Sequence, residues 1–175
     1  MSAPTEPTAS PYLHGFSPTE QARLVKQARI AESTIFRDID YTGARRLIEV
    51  GSGVGAQTEI LLRRFPDLHV DCIDFSPAQL DAARANLGSR SWLDGRYALH
   101  EADAGNLPFE ARTFDAAFLC WVLEHVPSPA RVLSELRRVL SPGSPVYITE
   151  VMNASFLLDP YSPNVWRYWM AFNDF

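Results

Sequence analysis

Apolar positions along this chain switch between two periods. Leu24, Ala28, Ala31 and Ile35 recur at helical spacing, flanked by Val25 and Phe36, and predict a helix over 17–38. Ser17 suits its N-cap, Pro18 its first turn, and Glu20 completes a capping box. Beyond Gly43 the pattern shortens. Apolar runs at 46–50, 69–75, 97–102, 114–121 and 145–151 read as strands. The run Phe114 to Trp121 is almost wholly apolar, as a strand covered on both faces must be. Helical stretches lie between these runs. One covers 55–65 and stops at Pro66. Another opens at Ser76-Pro77 and stops at Gly88. A third begins at Ser128-Pro129, carries Val132, Leu133, Leu136, Val139 and Leu140 on one side, and ends at Pro142-Gly143. Strand and helix alternate without an internal repeat. The expectation is an α/β fold, a doubly wound, mostly parallel sheet with helices on both faces.

The two ends differ from this middle. Residues 1–11 are rich in Pro, Ser and Thr and predict a disordered tail. They carry neither the basic head nor the apolar stretch of a secretory signal. Residues 12–44 form an N-terminal helical unit, 45–151 the strand and helix core, and 152–175 an aromatic segment. Seven of the twenty aromatic residues fall in the last twenty positions. Trp166, Trp169 and Met170 share helical spacing, as do Tyr168 and Phe172. Two readings stand for this segment: an amphipathic helix packed on the core, or the wall of an acceptor pocket or partner interface.

Composition narrows the class. A chain of 175 residues with 46% hydrophobic content is most economically one domain with a real core. The net charge of −5 argues against a nucleic-acid partner. Arg63-Arg64 and Arg137-Arg138 fall at helix ends, where cations suit the dipole. Cys72 and Cys120 lie in predicted buried strands and read as free thiols of a reducing, cytoplasmic compartment. No apolar run reaches the ~18 residues of a membrane span, and no metal site is expected.

The chemistry concentrates at Glu49-Val-Gly-Ser-Gly-Val-Gly55, between the first strand and the next helix. Glycines let the backbone take left-handed dihedrals and let a ligand approach closely. The helix then points free N–H groups and its positive end at the same place. Gly51-Ser-Gly-Val-Gly-Ala56 also satisfies the G-x-G-x-x-A pattern of a dinucleotide site, so a nicotinamide cofactor is a rival. Asp74, ending the second strand, can accept from ribose hydroxyls in either case. Glu49 separates the two: a carboxylate beside the turn repels a pyrophosphate and suits a cationic ligand. Its alternative is a cap or an arginine pair. Asp103, past the third strand, can accept from the exocyclic amine of adenine, or is a plain loop acid. Phe75 packs on adenine or on the core. Gln79, one turn into the next helix, is within reach of ribose. The fourth strand ends at Trp121-Val-Leu-Glu-His125 in the same crevice, while Asp115 at its other end reads as structural.

Together these residues resemble the class I S-adenosylmethionine-dependent methyltransferases of the small-molecule type, similar to the ubiquinone and menaquinone methyltransferases. The likeness runs from about Arg45 to Val151, with Tyr12-Leu-His-Gly-Phe-Ser17 similar to a lead-in of some members. It implies a Rossmann-like methyltransferase fold and S-adenosyl-L-methionine as cofactor, with S-adenosyl-L-homocysteine as product. The turn Glu49, Gly51, Ser52, Gly53, Gly55 would cradle the methionine part and Asp74 the ribose. Asp103 and the backbone of Ala104 would hold adenine, and the backbone near Cys120 the methionine amino group. Residues 45–151 become the cofactor-binding core and 12–44 a helical lid, with Tyr12 and His14 folding over the cofactor.

The implied activity is methyl transfer to a small-molecule acceptor. His125, His14, Glu124 and Tyr12 are candidates for a base, and none has a spacing that forces a catalytic role. Members of this family usually carry two more strands, as an antiparallel hairpin after the fifth. No such strands are predicted here, which would leave the apolar strand 145–151 as an edge inviting a dimer or a partner chain, unless the C-terminal aromatics cover it. A non-catalytic fragment or subunit that binds cofactor or a partner chain is the alternative function.

Overall fold

The computed structural model describes residues 15, 17–151 and 162–167. The expectations for residues 1–11, for Tyr12 and His14, and for most of the aromatic segment lie outside the described residues. Of that segment, residues 163–167 are helical.

Helix α1 (Pro18–Ile35) precedes strand β1 (Arg46–Val50), helix α2 (Ala56–Arg64), strand β2 (His69–Asp74) and helix α3 (Pro77–Gly88). Strand β3 (Tyr97–Glu101), strand β4 (Ala116–Cys120), helix α4 (Pro129–Val139) and strand β5 (Val146–Thr149) follow, with short 3-10 turns at Ser91–Leu93 and Leu123–His125. All five strands are parallel, in the order β3-β2-β1-β4-β5. The chain builds outward from β1 to β3, then returns to lay β4 and β5 on the other side. The order therefore reverses between β1 and β4. Ligands of open parallel sheets sit at such a point, outside the carboxyl ends of the strands.

Alternation along the strands divides the core into two layers. Leu47, Val70, Cys72 and Phe118 face α2 and α1, packing with Ile60, Leu61, Leu62, Ala28, Phe36 and Tyr41. Ile48, Ile73, Ala117 and Leu119 face the other way, onto Val132, Leu136 and Val139 of α4. Ser17 caps α1 by accepting from the Glu20 N–H at 3.2 Å. Ser76 does the same for α3 through Gln79, at 3.4 Å. The paired arginines close helices: Arg63 and Arg64 of α2 pair with Glu32, and Arg138 of α4 with Glu135.

Three boundaries are tighter than the periodicity predicts, each for a local reason. α1 stops at Ile35 because Phe36 turns inward, fully buried and stacked on Phe118 at 5.4 Å between ring centres. β4 begins at Ala116 because the Asp115 carboxylate accepts from the N–H groups of Arg45 and Arg46. β5 ends at Thr149 because the Glu150 side chain reaches across to the loop after β4. Among the described residues β5 is an edge strand, with Val146 39% and Ile148 42% exposed. Cys120 departs from its sequence reading: at the end of β4 it is half-buried, while Cys72 is fully buried. No helix among the described residues is long and apolar enough to cross a membrane.

Candidate functional site

The glycine turn leaves the carboxyl end of β1 and is tied to β2. The N–H groups of Gly51 and Ser52 both donate to the Ile73 carbonyl, at 2.7 and 3.0 Å. Gly51, Gly53 and Gly55 all lie in the left-handed region, at φ of 71°, 53° and 72°. Two of the three are also walled in. A Cβ on Gly51 would stand 2.4 Å from Val122 Cγ2, and one on Gly55 2.9 Å from Leu87 Cδ1. Gly53 differs, since the nearest atom to its Cβ position is Gln79 Nε2 at 3.9 Å. Over Gly53 the turn is open, so a ligand can lie against the backbone there.

Asp74 holds this turn in shape. Its Oδ2 accepts from the Gly53 N–H at 2.8 Å and its Oδ1 from the Ser76 N–H at 2.9 Å. The Phe75 N–H also donates to this carboxylate, which leaves it one acceptor position for a ligand. Burial pushes its pKa above the ordinary carboxylate range, and the backbone N–H groups oppose that only in part. Gln79 is buried beside it and accepts from Gln21 of α1 at 3.3 Å. Gln21 also donates to the Ala78 carbonyl. The N-terminal end of α1 thus stands at the crevice, and its C-terminal end, at Glu32, packs on the far end of α2.

Glu49 is buried under the turn. Its Oε2 accepts from the Thr58 hydroxyl at 2.6 Å. Burial pushes its pKa up to about 8, against the Thr58 hydrogen bond and with help from the nearby Asp74 charge. Thr58, not an arginine, is its partner. A proton or a cation arriving from outside is what would stabilise this carboxylate.

The remaining sequence candidates line the same end of the sheet. Phe75 is 65% exposed, a large ring left at the surface directly after Asp74. Asp103 is exposed and accepts from the Gly105 N–H at 2.8 Å, which shapes the loop carrying Ala104. Arg131 braces that loop through the Gly105 carbonyl at 2.7 Å. Cys120 ends β4, where its thiol accepts from Gln57 Nε2 at 3.7 Å. Burial, with the Glu49 and Glu150 charges behind it, pushes this thiol up to about 12, which disfavours its thiolate. Its neighbour Trp121 has φ of 58°, a strained angle for a residue with a side chain. Glu124 and His125 lie in the 3-10 turn that follows, 3.6 Å apart.

Four side chains escape the sequence reading. Thr58 pairs with Glu49, Gln57 touches Cys120, Val122 presses on Gly51, and Glu150 accepts from the Val122 and Leu123 N–H groups at 3.0 and 2.8 Å. A signal existed for Glu150: like Asp74, it is an acid closing an apolar strand. Among the described residues three buried polar atoms have no partner: Ser52 Oγ, Gln57 Oε1 and Glu150 Oε2. All three belong to segments that meet at the carboxyl ends of the strands.

Residues 48–148 match the protein family described as “Methyltransferase domain”. The chain is 31% identical to a chloroplastic 2-methyl-6-phytyl-1,4-hydroquinone methyltransferase of Oryza sativa subsp. japonica, over 72% of this chain and 35% of that protein. It is 32% identical to the demethylmenaquinone methyltransferase of Clavibacter sepedonicus, over 65% of this chain and 44% of that one. The chain thus spans less than half the length of these two relatives. A solved S-adenosylmethionine-dependent methyltransferase from Aquifex aeolicus superposes with a TM-score of 0.69 over 91% of this chain and 88% of that one. At 18% identity, that likeness speaks for the fold alone. The all-parallel sheet, the glycine turn at its switch point and the match over residues 48–148 lead to one statement: this chain belongs to the methyltransferase domain family, with its Rossmann-like fold.

Proposed function

We propose that this chain binds S-adenosylmethionine in the crevice over β1, β2 and β3 and serves methyl transfer to a small-molecule acceptor. The observation that carries the cofactor reading is the uncompensated acid around an open glycine turn. Glu49 and Asp74 are both buried there, both held above the ordinary carboxylate range, and neither forms an ion pair with a basic side chain among the described residues. A cationic ligand relieves that arrangement, whereas a pyrophosphate worsens it.

The residues present fit the cofactor. Gly53 leaves room against the backbone, Ser52 Oγ is buried without a partner, and Asp74 is held by backbone N–H groups with one acceptor position left. In this reading Glu49, Gly51, Ser52, Gly53 and Gly55 take the methionine part, and Asp74 and Gln79 the ribose. Phe75, Asp103 and Ala104 take the adenine, the backbone at Cys120 takes the amino group, and Tyr12 covers the whole. Bound there, the cofactor supplies an activated methyl group. The chain's part is to bind, orient and exclude water, and orientation alone contributes up to roughly 7–11 kcal/mol to such reactions. The names of the relatives, a hydroquinone methyltransferase and a demethylmenaquinone methyltransferase, support an acceptor of the quinone or hydroquinone kind.

A second reading rests on one specific observation. The exposed apolar edge of β5 among the described residues supports a binding unit completed by a second copy or a partner chain. The free thiols Cys72 and Cys120 support a reducing compartment such as the cytoplasm.

Calorimetric titration with S-adenosylmethionine, S-adenosylhomocysteine and NAD tests the cofactor. The first two should bind and NAD should not. Asp74→Asn should weaken S-adenosylhomocysteine binding by about 1.5–3 kcal/mol, the cost of a lost hydrogen bond to a charged acceptor. NAD binding, or an unchanged affinity in the variant, would refute the reading.

A further inference from the structure

Apart from the backbone at Cys120, the cofactor residues proposed above cluster on one half of the crevice. Glu49 lies on β1, Asp74 ends β2, and Asp103 follows β3. The sheet order puts β4 and β5 on the opposite side of the switch point. That other half holds a carboxylate with half of its bonding capacity unused.

Glu150 stands directly after β5. Its Oε1 accepts from two consecutive N–H groups of the loop after β4, Val122 at 3.0 Å and Leu123 at 2.8 Å. The other oxygen, Oε2, is buried and has no partner among the described residues. A buried acceptor left unmade loses its bond to water and gains none in return. Folding alone gains nothing from leaving it so. Gln57 Oε1, beside the same Cys120, is a second buried acceptor in the same condition. Both unmet groups accept, so whatever satisfies them must donate, through O–H or N–H.

The clamp has a second consequence. Val122, held by Glu150, presses on the glycine turn so closely that Gly51 has no room for a Cβ. Trp121, just before it, is held at φ of 58° with its N–H on the Thr149 carbonyl at 2.8 Å. Strain of this kind persists only where the surroundings over-determine it. Glu150 Oε1 therefore sets the position of the loop against the cofactor turn, while Oε2 is left without a partner among the described residues.

We propose that Glu150 Oε2 is the acceptor-reading group of this site: it takes a hydrogen bond from a hydroxyl or amine of the methyl acceptor, while Oε1 fixes the loop against the cofactor turn. The inference rests on the cofactor reading above. It assigns the β4 and β5 half of the crevice to acceptors that carry a hydrogen-bond donor, and it excludes capped analogues. Glu150 is then a residue of substrate selection, separate from those that hold the cofactor.

The test uses the full chain loaded with S-adenosylhomocysteine. Hydroquinone and 1,4-dimethoxybenzene are titrated into it, followed by calorimetry or by ligand-observed NMR. The two probes share a ring and differ in their donors. Wild type should prefer hydroquinone by about tenfold, a worth of one charge-assisted hydrogen bond. Glu150→Gln keeps an oxygen for the Val122 and Leu123 N–H groups and puts an NH2 in place of Oε2. It should erase the preference and leave S-adenosylhomocysteine affinity within about twofold. Equal affinity of the probes for wild type, binding of neither, or a preference that persists in Glu150→Gln overturns the proposal. So does an about tenfold loss of S-adenosylhomocysteine affinity in Glu150→Gln, since the carboxylate then serves the cofactor's ammonium group. Failure of wild type to bind S-adenosylhomocysteine removes the cofactor reading itself, and it is seen before any probe is added.

Discussion

Glu49→Gln isolates the buried charge under the glycine turn. In the folded protein the Glu49 carboxyl is raised from 4.5 to about 8, chiefly by burial. An acid raised on folding prefers to stay protonated in the native state. Its contribution to stability is therefore fully present below about pH 4.5 and is lost as pH climbs toward 8. Each pKa step is worth about 1.4 kcal/mol, so the loss attributable to Glu49 between pH 5 and pH 9 is about 3–4 kcal/mol. Glutamine preserves shape and offers the Thr58 hydroxyl an acceptor, but it cannot ionise. Urea unfolding of wild type and variant, followed by circular dichroism at pH 5, 7 and 9, measures the difference directly. Other groups titrate in both proteins and cancel in the comparison. The expected result is a variant that gains on wild type by about 3–4 kcal/mol over that range. Stability curves that run parallel across it would refute the reasoning, because a charge that costs nothing to form is not buried.

The same carboxylate links cofactor and proton. At pH 7 Glu49 is mostly protonated, and a cation beside it favours the ionised form, so S-adenosylmethionine binding should release up to one proton. Calorimetry in buffers of different ionisation enthalpy reads that number, and Glu49→Gln should abolish it. The glycines of the turn should separate by mechanism. Gly51→Ala combines a left-handed backbone with a 2.4 Å clash on Val122 and should cost about 2–5 kcal/mol of stability in urea unfolding. Gly53→Ala meets no such wall, should cost only about 1–2 kcal/mol, and should instead weaken S-adenosylhomocysteine binding. Removing residues 1–16 leaves Ala28 and Phe36 in the core and should preserve the melting transition while lowering S-adenosylhomocysteine affinity through loss of Tyr12. An unchanged affinity would mean that the N-terminal segment does not close the site.

The deletion is informative because of what the packing adds. Helical spacing alone marks residues 17–38 as an amphipathic element that could sit anywhere as a lid. In the fold its end is part of the first core layer, with Phe36 buried on Phe118 and Tyr41 donating to the Ala117 carbonyl at 2.6 Å. Only its beginning, at Gln21, stands by the crevice. A periodic pattern specifies a face, but not which of two apolar surfaces that face meets.

Much of the fold is written locally. Runs of buried residues, proline and serine helix starts, and glycine stops are properties of neighbouring residues, so strand and helix order can be read from them directly. The glycine turn is legible for the same reason, since left-handed backbone needs glycine wherever it occurs. The acids closing β1 and β2 could be seen in the sequence as well, although not their state. Burial raises Glu49 and Asp74, and burial belongs to the layers above and below them. What only the tertiary structure decides is which separate segments share the crevice. Thr58 meets Glu49 across the first strand-to-helix turn, Val122 fills the space that Gly51 leaves, and Glu150 reaches the loop after β4. Those contacts depend on the strand order β3-β2-β1-β4-β5, which is set by how the apolar layers pack. The sequence by itself names a cofactor turn. The packed sheet gives that turn a second wall, with an unsatisfied carboxylate oxygen in it.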